Sequence, residues 1–253
     1  MRNFVRAALS ASTSSAARAP EVVPSPNIWH WPEVYEVENH AQDSGGAIWS
    51  ALREAYDFAG RDVVDVGCGD GFHLPVFAAT ARSVTGVEPH PPLVERARRR
   101  VAALDNVTVL VGPAQRLPVA EASADLVHAR TAYFFGPGCE PGLREADRVL
   151  RPGGVLAVVD LDASSAPYGN WMRADMPHYD PVAVEAFFAR HGFDCRRVDT
   201  LWRFPDRASL EAVLRIEFSP KVAERAIAET QGLTIPVRYR LHTRTKPEGI
   251  VLG

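Results

Sequence analysis

"VVDVGCGDGF", residues 63 to 72, is an apolar run that ends in three glycines at alternate positions. An apolar run of β-branched residues closed by glycines reads as a buried strand passing into a tight turn. Gly67, Gly69 and Gly71 lack a Cβ, so the chain can bend sharply there and let a ligand approach its backbone. The helix expected to start near Phe72 then turns free N–H groups and a positive dipole end toward an anionic group, a pyrophosphate or a carboxylate. Spacing separates the ligands. The dinucleotide fingerprint is G-x-G-x-x-G, whereas "GCGDG" closes up to G-x-G-x-G, which weakens a nicotinamide dinucleotide reading.

Outward from this loop the pattern alternates between short β runs and helices. Strands are expected over Asp62–Val66, Ser83–Val87, Val107–Val111, Ala124–Ala129 and Val155–Leu161, and helices over Phe72–Thr80, Pro92–Leu104 and Pro141–Leu150. Strands alternating with helices imply an α/β fold: a Rossmann-like, doubly wound, mainly parallel sheet with its ligand at the strands' carboxyl ends. Upstream, Ile48, Leu52, Ala55 and Tyr56 recur at helical spacing, with Asp43 or Ser44 as cap and Gly60 as stop. Downstream come an aromatic loop, "APYGNWMRADMPHYD", a helix from Pro181 to His191, and strands over "FDCRRVDTLWRF" and "IPVRYRLHTRTK", the last expected to be antiparallel. An amphipathic helical insert, "PDRASLEAVLRIEFSPKVAERAIAETQG", separates those two strands.

The totals bound the function. A chain of 253 residues with a formal charge of −3 offers no general nucleic-acid surface, which needs clustered Lys and Arg on one face. Cys68, Cys139 and Cys195 are scattered, odd in number and without a C-x-x-C pair, so neither a disulfide framework nor a zinc site is expected. No apolar stretch approaches the roughly 20 residues of a membrane span. A cytoplasmic location is the expectation. Residues 1–26 carry Arg2, Arg6 and Arg18 before any acid, as in an organellar transit peptide, but Pro20, Pro24 and Pro26 favour a disordered Ala/Ser-rich extension.

An acid at the end of the second strand can take two ribose hydroxyls, and Glu88 in "VTGVEPHPP" follows Asp65 by 23 positions. Four blocks in order, "VVDVGCGDG", "VTGVEPHPPLVERAR", "GPAQRLPVAEASADLVHAR" and "EADRVLRPGGVLAVVD", give residues 61–161 a pattern that resembles the class I S-adenosylmethionine-dependent methyltransferases, in their small-molecule branch. The resemblance implies a single methyltransferase domain over 27–253, with a cap (27–60), a cofactor-binding core (61–162) and substrate-side segments (163–253). It implies S-adenosylmethionine as cofactor. Gly67, Gly69 and Gly71 would approach its methionine part, Asp65 would orient its ammonium, Glu88 would clasp the ribose, and Pro89 would lie near adenine. Ala129 and Arg130 would contact the cofactor after the fourth strand.

Two departures stand out. Many relatives carry an Asp after the third-strand glycine that accepts from the adenine amino group; here Pro113 stands there, leaving Ala114 N–H and Gln115 to meet the base. A His pair after the fourth strand in some relatives is replaced by Phe134 and Phe135. Methyl transfer from a sulfonium is an in-line displacement in which positioning carries most of the rate, so a dedicated base is optional. Candidates are His40, His128, His178 and Asp162. The acceptor is expected to be small and fairly apolar, met by aromatics such as Tyr35, Tyr133 and Trp171. The alternative is a non-catalytic module that keeps the cofactor fold, motivated by Pro113 and the missing His pair.

Overall fold

The computed structural model describes residues 22–133 and 136–248; residues 1–21 of the extension expected over 1–26, the Phe134–Phe135 pair and residues 249–253 lie outside the described residues, and Pro26, the last residue of the expected extension, already opens a helix. In chain order the helices are α1 (Pro26–His30), α2 (Pro32–Ala41), α3 (Ala47–Ala55), α4 (Leu74–Ala78), α5 (Pro91–Arg100), α6 (Glu140–Val149), α7 (Tyr168–Asp175), α8 (Pro181–Arg190), α9 (Arg207–Glu217) and α10 (Pro220–Glu229). The strands are β1 (Asp62–Val66), β2 (Ser83–Glu88), β3 (Val107–Val111), β4 (Ala124–Arg130), β5 (Leu150–Leu161), β6 (Asp194–Arg203) and β7 (Thr234–Thr245). They form one sheet in the order β3-β2-β1-β4-β5-β7-β6. β1 pairs parallel with β2 and β4, β2 with β3, and β4 with β5, while β7 runs antiparallel to β5.

The chain divides into two compact units. The larger holds the described residues of Ile48–Leu161, Val182–Val198 and those from Tyr239 onward. Its central strands read as near-continuous apolar runs because both faces are covered. Val63, Val64 and Val66 of β1, Leu126 and Val127 of β4, and Leu156 to Val159 of β5 are all buried. Each helix supplies one apolar stripe: Leu93, Val94 and Ala97 on α5, and Leu143, Ala146 and Val149 on α6. Strand order reverses at β1, which lies between β2 and β4, and a doubly wound sheet places its ligand at such a switch point, here the carboxyl ends of β1 and β4.

The smaller unit holds the described residues up to Ala47, Asp162–Pro181 and Asp199–Arg238. Its core gathers Tyr168 against Trp202 and Phe218, at ring separations of 4.9 and 5.2 Å. Buried rings with polar tips need partners. Tyr168 donates its hydroxyl to Glu217 at 2.6 Å, and Trp171 donates Nε1–H to Glu229 at 2.6 Å. The helical insert is α9 and α10; Asp206 caps α9 by accepting the Ser209 amide at 2.7 Å.

Some boundaries differ from the expectations. The helix expected over Phe72–Thr80 is only Leu74–Ala78, and the aromatic loop contains α7. The strand expected over Val155–Leu161 begins at Leu150, and its first residues are irregular: Ala124 pairs with Leu150 but Leu126 with Val155, and Gly153 takes a φ of 78°.

Candidate cofactor site

The glycine loop leaves β1 at the switch point. Gly67 and Cys68 both donate their amides to Val87 O, at 2.8 and 3.2 Å, which ties the loop to the end of β2. Gly67, Gly69 and Gly71 have φ of 72°, 57° and 81°, the left-handed region where a side chain is strained. At Gly71 space is also lacking: a Cβ would lie 3.0 Å from Ala97 Cβ on α5. Arg100, from the same helix, donates to the buried Asp70 carboxylate at 2.9 Å and to Asp70 O at 3.1 Å, so the loop's outer edge is held by charge.

Glu88 closes the other side. Its Oε2 accepts Gly69 N–H at 3.1 Å and its Oε1 accepts His90 N–H at 3.0 Å. Burial pushes the carboxyl up to about 7, against the pull of those two amides and with a further push from the Asp65 charge. A carboxylate has about four lone-pair sites. The two amides use two of them, and acceptors for a pair of hydroxyls remain.

Asp65 and His128 are register partners on β1 and β4, with Oδ1 and Nδ1 2.7 Å apart. At the end of β4, Arg130 places its guanidinium over the Tyr239 ring at 5.2 Å, and just beyond it Ala132 sits where a Cβ on Gly67 would come within 3.1 Å. The segment after β3 is pinned from α6: Glu145 accepts Leu117 N–H at 2.8 Å, and Arg148 donates to Leu117 O and Val119 O, each at 2.9 Å. Ala114 is half-buried and Gln115 exposed on that segment, and Pro89 is half-buried beside Glu88.

The larger unit therefore gathers Asp65, Gly67, Gly69, Gly71, Glu88, Pro89, Ala114, Gln115, His128, Ala129, Arg130 and Tyr133. Tyr133 is buried, its ring packed where Gly142 leaves room on α6. The remaining candidates belong to the smaller unit. Tyr35 is half-buried on α2, and His40 is exposed with Glu36 3.4 Å away. His178 is exposed, and Trp171 is buried. Asp162 Oδ1 accepts Ser164 N–H at 3.0 Å and Ser164 Oγ–H at 2.6 Å, which makes it a turn cap.

Other polar groups went unread in the sequence. His73, beside the glycine loop, has Nδ1 buried with no hydrogen-bond partner among the described residues, and burial lowers its basicity. Asp160 is fully buried, faces Arg240 across β5 and β7, and is pushed up to about 7 by burial. The signal was present: "RYRLHTR" places charged and polar groups in a strand that the fold covers. Among the described residues, no group of three or more His, Cys, Asp or Glu is placed to hold a metal ion, and no helix is long and apolar enough to cross a membrane.

A bent glycine loop at a parallel-sheet switch point, faced by a carboxylate with open acceptor sites, defines a nucleotide-binding doubly wound α/β domain. A family model described as "Methyltransferase domain" matches residues 64–158, the stretch that builds this crevice. The chain is 34% identical over 137 residues to methyltransferase GfsG of Streptomyces halstedii, covering 52% of this chain and 49% of that protein. It is 32% identical over 163 residues to the malonyl-[acyl-carrier protein] O-methyltransferase of Enterobacter lignolyticus, covering 63% of this chain and 61% of that protein. In fold it is similar to the [4+2]-cyclase SpnF, with a TM-score of 0.56 at 21% identity over 82% of this chain and 83% of that one. Residues 64–158 form a class I S-adenosylmethionine-dependent methyltransferase domain. The chain spans about half the length of the curated relatives it matches.

S-adenosylmethionine fits the residues present. The loop leaves backbone bare of side chains, Glu88 keeps lone pairs open to hydroxyl donors, and the buried Nδ1 of His73 is an orphan polar atom at the same loop.

Proposed function

We propose that this chain methylates a small, fairly apolar metabolite, with S-adenosylmethionine as donor and S-adenosylhomocysteine as product. The observation that carries the reading is Glu88: a carboxylate at the end of β2, oriented by the Gly69 and His90 amides, beside a loop of three positive-φ glycines. When bound, the cofactor supplies a methyl group already activated by a sulfonium. The chain's residues then bind and align. Glu88 takes the ribose hydroxyls, the glycine loop admits the methionine part, and Asp65 answers the ammonium. Ala114 and Gln115 meet adenine where Pro113 cannot. Arg130 and Ala129 border the reacting end. Alignment for in-line displacement contributes most of the rate, and no single base is assigned.

Support for a small acceptor comes from the 27-O-demethylrifamycin SV methyltransferase of Amycolatopsis mediterranei, to which the chain is 37% identical over 116 residues. Tyr35 is the aromatic we assign to it. No nucleic acid is assigned as a partner, given the net charge of −3. Calorimetry with S-adenosylhomocysteine, NAD and NADP tests the cofactor, and transfer of labelled methyl groups into a metabolite extract tests turnover. Binding of NAD in place of S-adenosylhomocysteine would end the reading.

A second reading is a cofactor-binding protein that does not methylate, favoured by Pro113 and by Phe134 and Phe135 in place of a His pair. Saturable S-adenosylhomocysteine binding without transfer to any extract component supports it.

A further inference from the structure

Asp65 is a buried carboxylate in the middle of an apolar strand, 3% exposed, and its partner His128 is 1% exposed. Strand register puts them side by side, and the 2.7 Å separation between Nδ1 and Oδ1 is a full hydrogen bond. A carboxylate only accepts, so the imidazole donates Nδ1–H. The ring cannot turn away. Phe77 meets it edge-on at 5.1 Å and Trp49 stacks on it at 6.3 Å, while Trp49 and Phe77 pack against each other at 5.1 Å.

An apolar pair of similar volume would fill these two positions without the cost of burying a charge. Packing therefore does not account for the pair. Asp65 precedes Gly67 by two residues, and its charge is felt at Cys68 and Glu88 on both sides of the crevice. The side chain that fixes Asp65 thus fixes the exit of β1 into the glycine loop.

We propose that His128 is a positioning residue for the methyl donor: its Nδ1–H holds the Asp65 carboxylate, and with it the Val66–Gly67 passage, in the orientation that receives the donor's ammonium. This inference rests on the cofactor reading above. It gives His128 a role through Asp65, with no proton transfer to or from the acceptor.

Calorimetric titration of S-adenosylhomocysteine into the full chain tests it. H128F keeps the ring and removes the donor, and is expected to weaken binding about tenfold. H128N, whose amide nitrogen occupies nearly the place of Nδ1, is expected to bind within about threefold of the unsubstituted chain. F77L loosens the cage while leaving the hydrogen bond; it lowers the melting temperature and leaves affinity unchanged. Adding H128F to D65N brings no further loss, since His128 acts only through Asp65.

Wild-type affinity in H128F, or equal weakening in H128F, H128N and F77L, overturns the proposal. Absence of binding by the unsubstituted chain removes the cofactor reading and this inference together. Should H128F not fold, ¹⁵N-histidine spectra of the unsubstituted chain decide. An Nδ1–H tautomer at His128 whose resonances move on adding S-adenosylhomocysteine supports the proposal, and resonances that stay put overturn it.

Discussion

Tyr168 and Glu217, 49 residues apart, meet inside the smaller unit with the phenolic hydroxyl donating to the carboxylate at 2.6 Å. Burial raises the Glu217 carboxyl, and hydrogen bonds from Tyr168, Glu38 and Asn27 pull it back. An acid whose folded value is raised contributes its stability fully below the unfolded value and loses it as pH rises through the folded one. Y168F removes one donor from the charged form. It is expected to cost about 1 to 3 kcal/mol, more at pH 8 than at pH 5, read from urea midpoints at both pH values.

Glu88 links cofactor binding to pH. Its carboxyl is raised to about 7, and ribose hydroxyls donate best to the ionised form. Affinity for S-adenosylhomocysteine is therefore expected to rise about tenfold from pH 6 to pH 8, with a proton released on binding. E88Q should flatten that rise and weaken binding about tenfold at pH 8. Calorimetry in two buffers of different ionisation enthalpy measures both effects, and a flat wild-type profile would remove Glu88 from the ribose. The same raised value means that Glu88 destabilises the free chain progressively as pH climbs through 7.

At Gly71, strain and crowding act together. The φ of 81° disfavours any side chain, and the new Cβ would press on Ala97 at 3.0 Å from its Cβ and 3.1 Å from its Cα. G71A is expected to cost more than about 2 kcal/mol in chemical denaturation. Adding A97G relieves the side-chain contact and recovers only part of the loss, because the backbone contact and the φ persist.

Glu145 secures the segment that carries Ala114 and Gln115. Its carboxyl lies below the usual range, chiefly through the Arg148 hydrogen bonds, with the Leu117 amide adding to the effect. A depressed acid gives stability above its unfolded value and loses it as pH falls through the folded one. E145A should speed hydrogen exchange at Leu117 N–H and weaken S-adenosylhomocysteine binding by about threefold, while Tyr133 and α6 stay protected.

The core of the fold was legible because parallel strands covered on both faces are written as apolar runs. β1 and β3 fall where the residues place them, and β2 and β4 each extend by a single residue, to Glu88 and Arg130. α7 was not legible. Gly169 and Pro167 read as loop, yet Gly169 lies inside the helix, at a place where a Cβ would stand 2.5 Å from Ala163 O, a contact sequence spacing does not reveal. In the site, the glycines and Glu88 announced themselves through local pattern. The Asp65–His128 pair did not, since 63 residues separate partners that only the β1–β4 register unites. Asp160 and Arg240 stayed hidden for the same reason, being joined by the β5–β7 pairing.

The chain has two lysines, and one is committed to holding secondary structure together. Lys246 Nζ donates to Asp147 O at 2.6 Å and to Leu150 O at 2.7 Å, closing the carboxyl end of α6 where it passes into β5. Lys221, by contrast, is exposed on α10. An amine-directed dye or cross-linker at mild pH should therefore modify Lys221 ahead of Lys246. The smaller unit thus carries a ready attachment point for a fluorescent reporter, without an introduced cysteine.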